Sequence, residues 1–163
     1  MYKFRKANLS DYDCIANFNQ KLHELHVSNR QDVYKETSNI LSFENFKSFF
    51  DSLDFEYFIV YNEKDSIPVG YACARIFVRP ETEVTKEYTG IFFNEFYIGE
   101  KFRRVGLGKR LFDFIIKYYN SLGFSNFTLT VWDFNEGAIE FYKSLGFKVR
   151  NYSLELSTKI DKK

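Results

Sequence analysis

The chain has 163 residues and a formal net charge of +1; 45% of it is apolar and 28% charged. Such values suit a globular domain large enough to bury its own core, and one α/β domain over 1–163 is the expectation. They exclude a strongly basic nucleic-acid binder, and no apolar run reaches membrane length, so neither nucleic acid nor membrane is an expected partner.

The 20 Phe and 12 Tyr are many, a bias that AT-rich coding explains as well as any function. Charge is uneven. Residues 1–90 hold 11 Lys/Arg against 14 Asp/Glu, and residues 91–163 hold 12 against 8. A basic second half suits an anionic cofactor and an acidic first half a cationic substrate, although chance scatter of solvated charges gives the same numbers. Cys14 and Cys73 stand in apolar contexts without partners at metal spacing, which reads as free buried thiols in a reducing compartment. With no charged-then-apolar leader in view, cytoplasmic location is the expectation.

Tyr2 to Ala7 alternates as an edge strand. Ser10 offers an N-cap to a helix carrying Ile15, Phe18, Leu22 and Leu25. Residues 27–39 have no period and read as a loop or broken helix. Ser42 starts a second helix with Phe43, Phe46, Phe49 and Phe50. Glu56–Tyr61 and Val69–Val78 form a hairpin, and Ile91–Ile98 is the next strand. A helix from Leu107 presents Leu111, Phe114, Ile115, Tyr118 and Leu122 on one face and stops at Gly123. Phe127–Val131 is a strand, Ala138–Leu145 a short helix ended by Gly146, and Phe147–Leu156 a last strand. The order predicts a mixed, mostly antiparallel sheet of six or seven strands with helices on both faces.

Between the strand 91–98 and its helix lies Arg103-Arg104-Val105-Gly106-Leu107-Gly108, followed by Lys109. A Gly-containing basic turn before a helix N-terminus is a natural anion site. The dinucleotide fingerprint fails, because Leu111 stands where the third glycine is needed. The magnesium-phosphate loop fails too, because Gly108-Lys109 is followed by Arg110 and not by Ser or Thr. Further on comes Asn135-Glu136-Gly137-Ala138-Ile139-Glu140-Phe141-Tyr142-Lys143-Ser144-Leu145-Gly146-Phe147. Taken alone, Asn135 is an N-cap or an amide for a ligand, and Tyr142 is a core aromatic or a site hydroxyl.

In this order and spacing the two motifs resemble those of the GNAT N-acetyltransferase superfamily, over nearly the whole chain. Asn94–Ile98 and Trp132–Glu136 are similar to the spermidine/spermine acetyltransferase group, in the cofactor half only. The resemblance implies acetyl-CoA as co-substrate and no metal. It implies that residues 91–163 serve mainly the donor, with residues 1–90 mainly on the acceptor side. It places the pyrophosphate on backbone N–H groups of Arg103, Arg104, Val105, Gly106, Leu107, Gly108 and Lys109. It places the pantetheine arm along Phe96, Tyr97 and Ile98, with Asn135 bonding the arm or the acetyl region. Tyr142 then stands near the thioester sulfur as general acid, and a backbone N–H at Tyr97 or Ile98 meets the developing oxyanion. Family members often dimerise, which leaves a homodimer open.

Acetyl transfer needs a neutral amine, and an amine of pKa near 10.4 is neutral to roughly one part in a few thousand at pH 7. Glu95 is the best-placed base, on one strand face with Phe93 and Tyr97, where apolar neighbours would raise its pKa. A carboxylate paired with a neighbouring Lys or Arg is an equal reading, and a bulge could bring Asn94 inward instead. His23 and His26 share a helix face without a third metal ligand. His26, Arg30, Asp32 and Tyr34 are candidates for the acceptor pocket. The acceptor is then a small amine, most simply a cationic one. A protein N-terminal or lysine acetyltransferase and a non-catalytic CoA-binding sensor are the alternatives.

Overall fold

The computed structural model describes residues 1–52 and 55–158. The chain divides into two compact units, Met1–Thr130 and a second beginning at Val131. The first carries β1 (Tyr2–Lys6), α1 (Tyr12–Asn29), α2 (Phe43–Ser52), β2 (Phe55–Asn62), β3 (Pro68–Arg79), β4 (Tyr88–Ile98), α3 (Leu107–Ser121) and β5 (Phe127–Leu129). The second carries α4 (Glu136–Ser144).

The sheet has five strands in the order β1-β2-β3-β4-β5. Its first three pairings are antiparallel and β4–β5 is parallel. The expected six or seven strands are not matched. The missing one is Phe147–Leu156, which forms no strand among the described residues; Tyr152, Leu154 and Leu156 are 82%, 91% and 89% exposed. Alternation gives a segment two faces, but a strand also needs a neighbour to receive its backbone hydrogen bonds.

One sheet face packs on α1 and α2. Ile15 and Phe18 of α1 and Phe46 of α2 join Tyr57, Ile59, Tyr71, Cys73 and Tyr97 there. Phe46 alone is buried on α2, its ring 5.1 Å from that of Tyr57. The other face packs on α3 through Leu107, Leu111, Phe112, Ile115 and Tyr119. Phe58 meets the rings of Phe114, Tyr118 and Tyr119 there, at 6.3, 5.5 and 6.0 Å.

Helix α1 starts differently from the Ser10 expectation. Asn8 caps a short 3-10 turn, Leu9–Asp11, by accepting from Ser10 N, and Asp11 accepts in return from Asn8 N at 2.8 Å. Arg5 of β1 forks onto the buried Asp11 carboxylate at 2.7 and 2.9 Å, tying the helix start to the sheet edge. Helix α1 then runs to Asn29, beyond the expected break at Val27. Ser42 does open α2, its Oγ accepting from Asn45 N.

Candidate active site

The site is organised by an irregularity in β4. Its ladder with β3 pairs Phe96 with Ala72 and Glu95 with Cys73, but the next β3 residue, Ala74, pairs with Phe93. Asn94 is the extra residue of a β-bulge and is exposed. The expectation that Phe93, Glu95 and Tyr97 share a face is therefore corrected. Phe93 lies on the α3 side, its ring 5.6 Å from that of Phe112. Glu95 and Tyr97 lie on the α1 side, with Tyr97 5.2 Å from Phe18. The bulge does not bring Asn94 inward; it turns Glu95 toward α1.

The Glu95 carboxylate is partly buried and held at both oxygens. Tyr71 Oη donates to Oε2 at 2.6 Å, and Asn19 Nδ2 donates to Oε1 at 2.7 Å. Burial pushes the carboxyl up, the two donors pull it back, and it stays above the ordinary carboxylate value. The alternative of a Lys or Arg partner is not what the structure shows: the carboxylate's partners are these two neutral donors. Burial pushes the Tyr71 hydroxyl well up, so it keeps its proton and acts as a donor. The Cys73 thiol is pushed well up by the same cause, and Cys14 to about 11. Both thiols are free and protonated at neutral pH, which makes them poor nucleophiles.

Beyond the bulge, β4 leaves β5. Their register is Ile91↔Phe127, Phe92↔Thr128 and Phe93↔Leu129, and β4 continues from Asn94 to Ile98 without a β5 counterpart. Phe96, Tyr97 and Ile98 lie on this length beyond the β5 pairing. An open strand edge is a row of backbone donors and acceptors that an amide-containing ligand can pair with.

After β4, a 3-10 turn (Glu100–Phe102) leads to the basic turn. Arg103 folds back: its Nε donates to the Ile98 carbonyl at 2.8 Å and its guanidinium lies 5.4 Å from the Tyr97 ring centre. Its backbone N–H donates to Glu100 O at 3.2 Å, so Arg103 braces the turn with both its side chain and its backbone. Arg104 at φ 64 and Gly106 at φ 76 are both left-handed and flank the exposed Val105. For a non-glycine such a conformation costs on the order of 1 kcal/mol. Gly106 caps α3 without a side chain, and the first-turn N–H that finds a backbone acceptor is that of Arg110, on Gly106 O at 3.1 Å. The N–H groups of Leu107, Gly108 and Lys109 precede it at the positive end of the helix dipole, with no acidic residue in that turn. This arrangement suits a phosphate. Lys109 pairs with Asp113 at 3.1 Å and remains largely exposed.

In the second unit, Asn135 is the N-cap of α4, its Oδ1 accepting from Ala138 N at 3.2 Å. The capping reading is thus shown, which leaves the amide nitrogen for any ligand. Tyr142 packs against Phe141 and Phe147, at 5.4 and 5.7 Å between ring centres. Burial pushes its hydroxyl up to about 12, so at neutral pH it is a proton carrier and not a phenolate.

On the acceptor side the structure brings His26 and Tyr34 together, their rings 5.0 Å apart. His26 Nδ1 lies 2.7 Å from Leu22 O, and Arg30 forks onto Asp32 at 2.9 and 2.7 Å. That guanidinium holds the Asp32 carboxyl below its ordinary value. His23 Nε2 is 2.7 Å from Lys35 O, and Gln20 donates to Thr37 O at 2.9 Å. Between α1 and residues 36–38 lies a concavity of about 480 Å³, lined by His23, Glu24 and Glu36 among others. Glu95 does not line it. Among the described residues no three His, Cys, Asp or Glu side chains gather as metal ligands would, and no helix is long and apolar enough to cross a membrane. Asn19 and Tyr71 were missed from sequence. The available signal was Asn19 itself, a polar residue inside the apolar stripe Ile15–Phe18–Leu22.

A model of the acetyltransferase (GNAT) family matches residues 19–147. The chain belongs to the GNAT acetyltransferase family. Its fold is similar to that of a tetramutant of the BH1408 protein from Bacillus halodurans, at TM-score 0.89 and 24% identity over 96% of this chain and 99% of that one. It is similar to a predicted acetyltransferase with acetyl-CoA from Clostridium acetobutylicum, at TM-score 0.69 and 17% identity over 96% of each chain. An aminoglycoside acetyltransferase from an uncultured soil metagenomic sample, in complex with trehalose, matches at TM-score 0.67 and 16% identity over 98% of this chain and 97% of that one. As a GNAT protein the chain is an acetyltransferase that uses acetyl-CoA. The open edge of β4 and the bare N-terminus of α3 fit such a donor.

Proposed function

We propose that the chain transfers the acetyl group of acetyl-CoA directly to the primary amine of a small cationic molecule. The observation that carries this reading is the anchored Glu95 carboxylate, set where β4 opens. Residues 104–109 hold the pyrophosphate by their backbone and the edge at Phe96–Ile98 holds the pantetheine arm. Bound acetyl-CoA supplies an activated acyl group with a thiol leaving group. Glu95 accepts the proton that the attacking amine gives up as its C–N bond forms. On the family resemblance, Tyr142 gives its proton to the departing sulfur as the C–S bond breaks, and Asn135 orients the arm. Arg103 acts by bracing the turn.

The acidic first half of the chain and the aminoglycoside acetyltransferase among similar folds support a cationic acceptor. The likeness of 94–98 and 132–136 to the spermidine/spermine group puts polyamines among the candidates. His26, Asp32 and Asn94 are the residues we assign to the acceptor side. The free thiols suit a cytoplasmic setting, and a homodimer is the assembly to look for by sedimentation.

The test is thiol release from acetyl-CoA against polyamines, aminoglycosides, amino sugars and a lysine peptide. Turnover with a small polycation is the expected result. Turnover with the peptide alone makes the chain a protein acetyltransferase. Calorimetric binding of acetyl-CoA without thiol release on any amine makes it a sensor.

A further inference from the structure

Two buried side chains outside the recognised motifs converge on Glu95. Tyr71 is fully buried on β3 and Asn19 is 9% exposed on α1. Each gives a donor to a different oxygen of the same carboxylate, at 2.6 and 2.7 Å. Asn19 Nδ2 also lies 3.4 Å from the Tyr71 hydroxyl, which closes the three groups into a ring. The other end of the amide is unusual. Asn19 Oδ1 is buried and finds no hydrogen-bond partner among the described residues.

An ionised carboxylate accepts hydrogen bonds and cannot donate them, so it faces the amide nitrogen and leaves the amide oxygen idle. A protonated carboxyl has an O–H that needs an acceptor. Turning the Asn19 amide by half a rotation puts Oδ1 where Nδ2 stood. The idle oxygen is then the acceptor for the protonated state, and the carboxyl keeps its place through both halves of a proton cycle. Tyr71 holds the second oxygen throughout. Water offers the same service at an exposed base, but at this depth it must come from the protein.

We propose that Asn19 and Tyr71 are positioning residues for the base, fixing both oxygens of Glu95, with Asn19 serving as donor to the carboxylate and as acceptor to the acid. The proposal rests on the reading of Glu95 as the proton acceptor. The alternative is that both bonds merely tie α1 and β3 together. The ionisable groups that face Glu95 from the packed elements are Tyr71 and Cys73 on β3 and Tyr57 on β2, with Arg75 beside Cys73. Burial pushes all three acids upward, so they stay neutral while Glu95 titrates.

The experiment is a carboxyl-carbon NMR titration of Glu95 in the full chain, run beside the pH profile of kcat/KM, for the wild type, Asn19→Leu, Asn19→Asp and Tyr71→Phe. Loss of a donor to the charged form raises the Glu95 midpoint by about one pH unit in Tyr71→Phe; Asn19→Leu also removes the acceptor for the acid, so its midpoint rises less. Asn19→Asp raises it further, because a like charge faces it. The acid limb of kcat/KM moves by the same amount. A midpoint within roughly 0.3 unit of wild type in folded Tyr71→Phe, or a kcat unchanged on its plateau in both Asn19→Leu and Tyr71→Phe, overturns the proposal, since bonds that only tie α1 to β3 shift the titration but leave proton transfer as fast once the carboxylate is charged. Asn19→Asp and Tyr71→Phe keep the test open if Asn19→Leu does not fold. If the wild type acetylates no amine, or Glu95→Gln keeps the acid limb, the base reading fails and the proposal falls with it; a moved midpoint with an unchanged plateau overturns the positioning claim alone.

Discussion

Arg103 is bonded to Ile98 across the turn that follows β4, its Nε 2.8 Å from the Ile98 carbonyl. One side chain therefore sets the angle between the open strand edge and the bare end of α3. In the proposed function the two halves of acetyl-CoA lie on those two elements. Replacing Arg103 by Ala should weaken acetyl-CoA binding about tenfold, or ~1.4 kcal/mol, by isothermal calorimetry. Arg103→Lys should not restore it, because an ammonium lacks the planar fork and stacks poorly on Tyr97. Equal affinities in all three proteins would remove the brace from the binding account.

Gly106→Ala should destabilise the chain by about 1–2 kcal/mol through its backbone alone. An added Cβ at Gly106 meets nothing within 4 Å, but φ is 76°. Gly137, in the first turn of α4, is the control: its Cβ also meets open space, its φ is not left-handed, and Ala there should add up to about 1 kcal/mol. Calorimetric melting of both variants checks the pair. A Gly106→Ala protein as stable as wild type would show that the turn relaxes freely.

Glu95→Gln should remove the acid limb of kcat/KM and cost about 10²–10⁴-fold in turnover at neutral pH, with acetyl-CoA affinity unchanged. It also changes stability in a pH-dependent way. An acid whose folded-state value is raised binds its proton more tightly in the folded chain. The stability it contributes is complete below the ordinary value of 4.5 and is lost as pH rises through the raised one. Urea unfolding should therefore show the variant gaining on the wild type as pH increases over that window. A constant difference would mean that Glu95 titrates normally.

Tyr142→Phe should lower kcat tenfold or more while leaving acetyl-CoA affinity and both pH limbs below about pH 10 in place. The hydroxyl, pushed up to about 12, does not titrate in that range. Unchanged turnover would take Tyr142 out of the proton path, and a moved limb would mean that it titrates within the working range.

Much of this was legible in the chain. The 3.6-residue period of α3, the glycine before it, and the runs of β2, β3 and β4 are local properties, and the structure repeats them within a few residues. What failed was not local. Alternation put Phe93 beside Glu95, but which residue a ladder ejects depends on the neighbouring strand, and β4 ejects Asn94. Alternation also drew a strand over Phe147–Leu156 without knowing whether a neighbour would pair with it. Asn19 was hidden for the same reason: a polar residue in an apolar stripe gains meaning only when Glu95 and Tyr71 arrive from residues 76 and 52 positions away.

Pairing of β4 with β5 ends at Phe93, the residue before Asn94. Removing Asn94 would leave Glu95 opposite Cys73 and Phe93 opposite Ala74 and so preserve both faces of the strand. It would straighten the ladder, and β5 could then continue alongside β4 and close the edge. Position 94 therefore acts as a spacer. For that spacing many side chains should serve, whatever Asn94 itself adds on the acceptor side, whereas a chain one residue shorter would keep its base and lose the gap beside it. Here the opening is written in the count of residues more than in their chemistry.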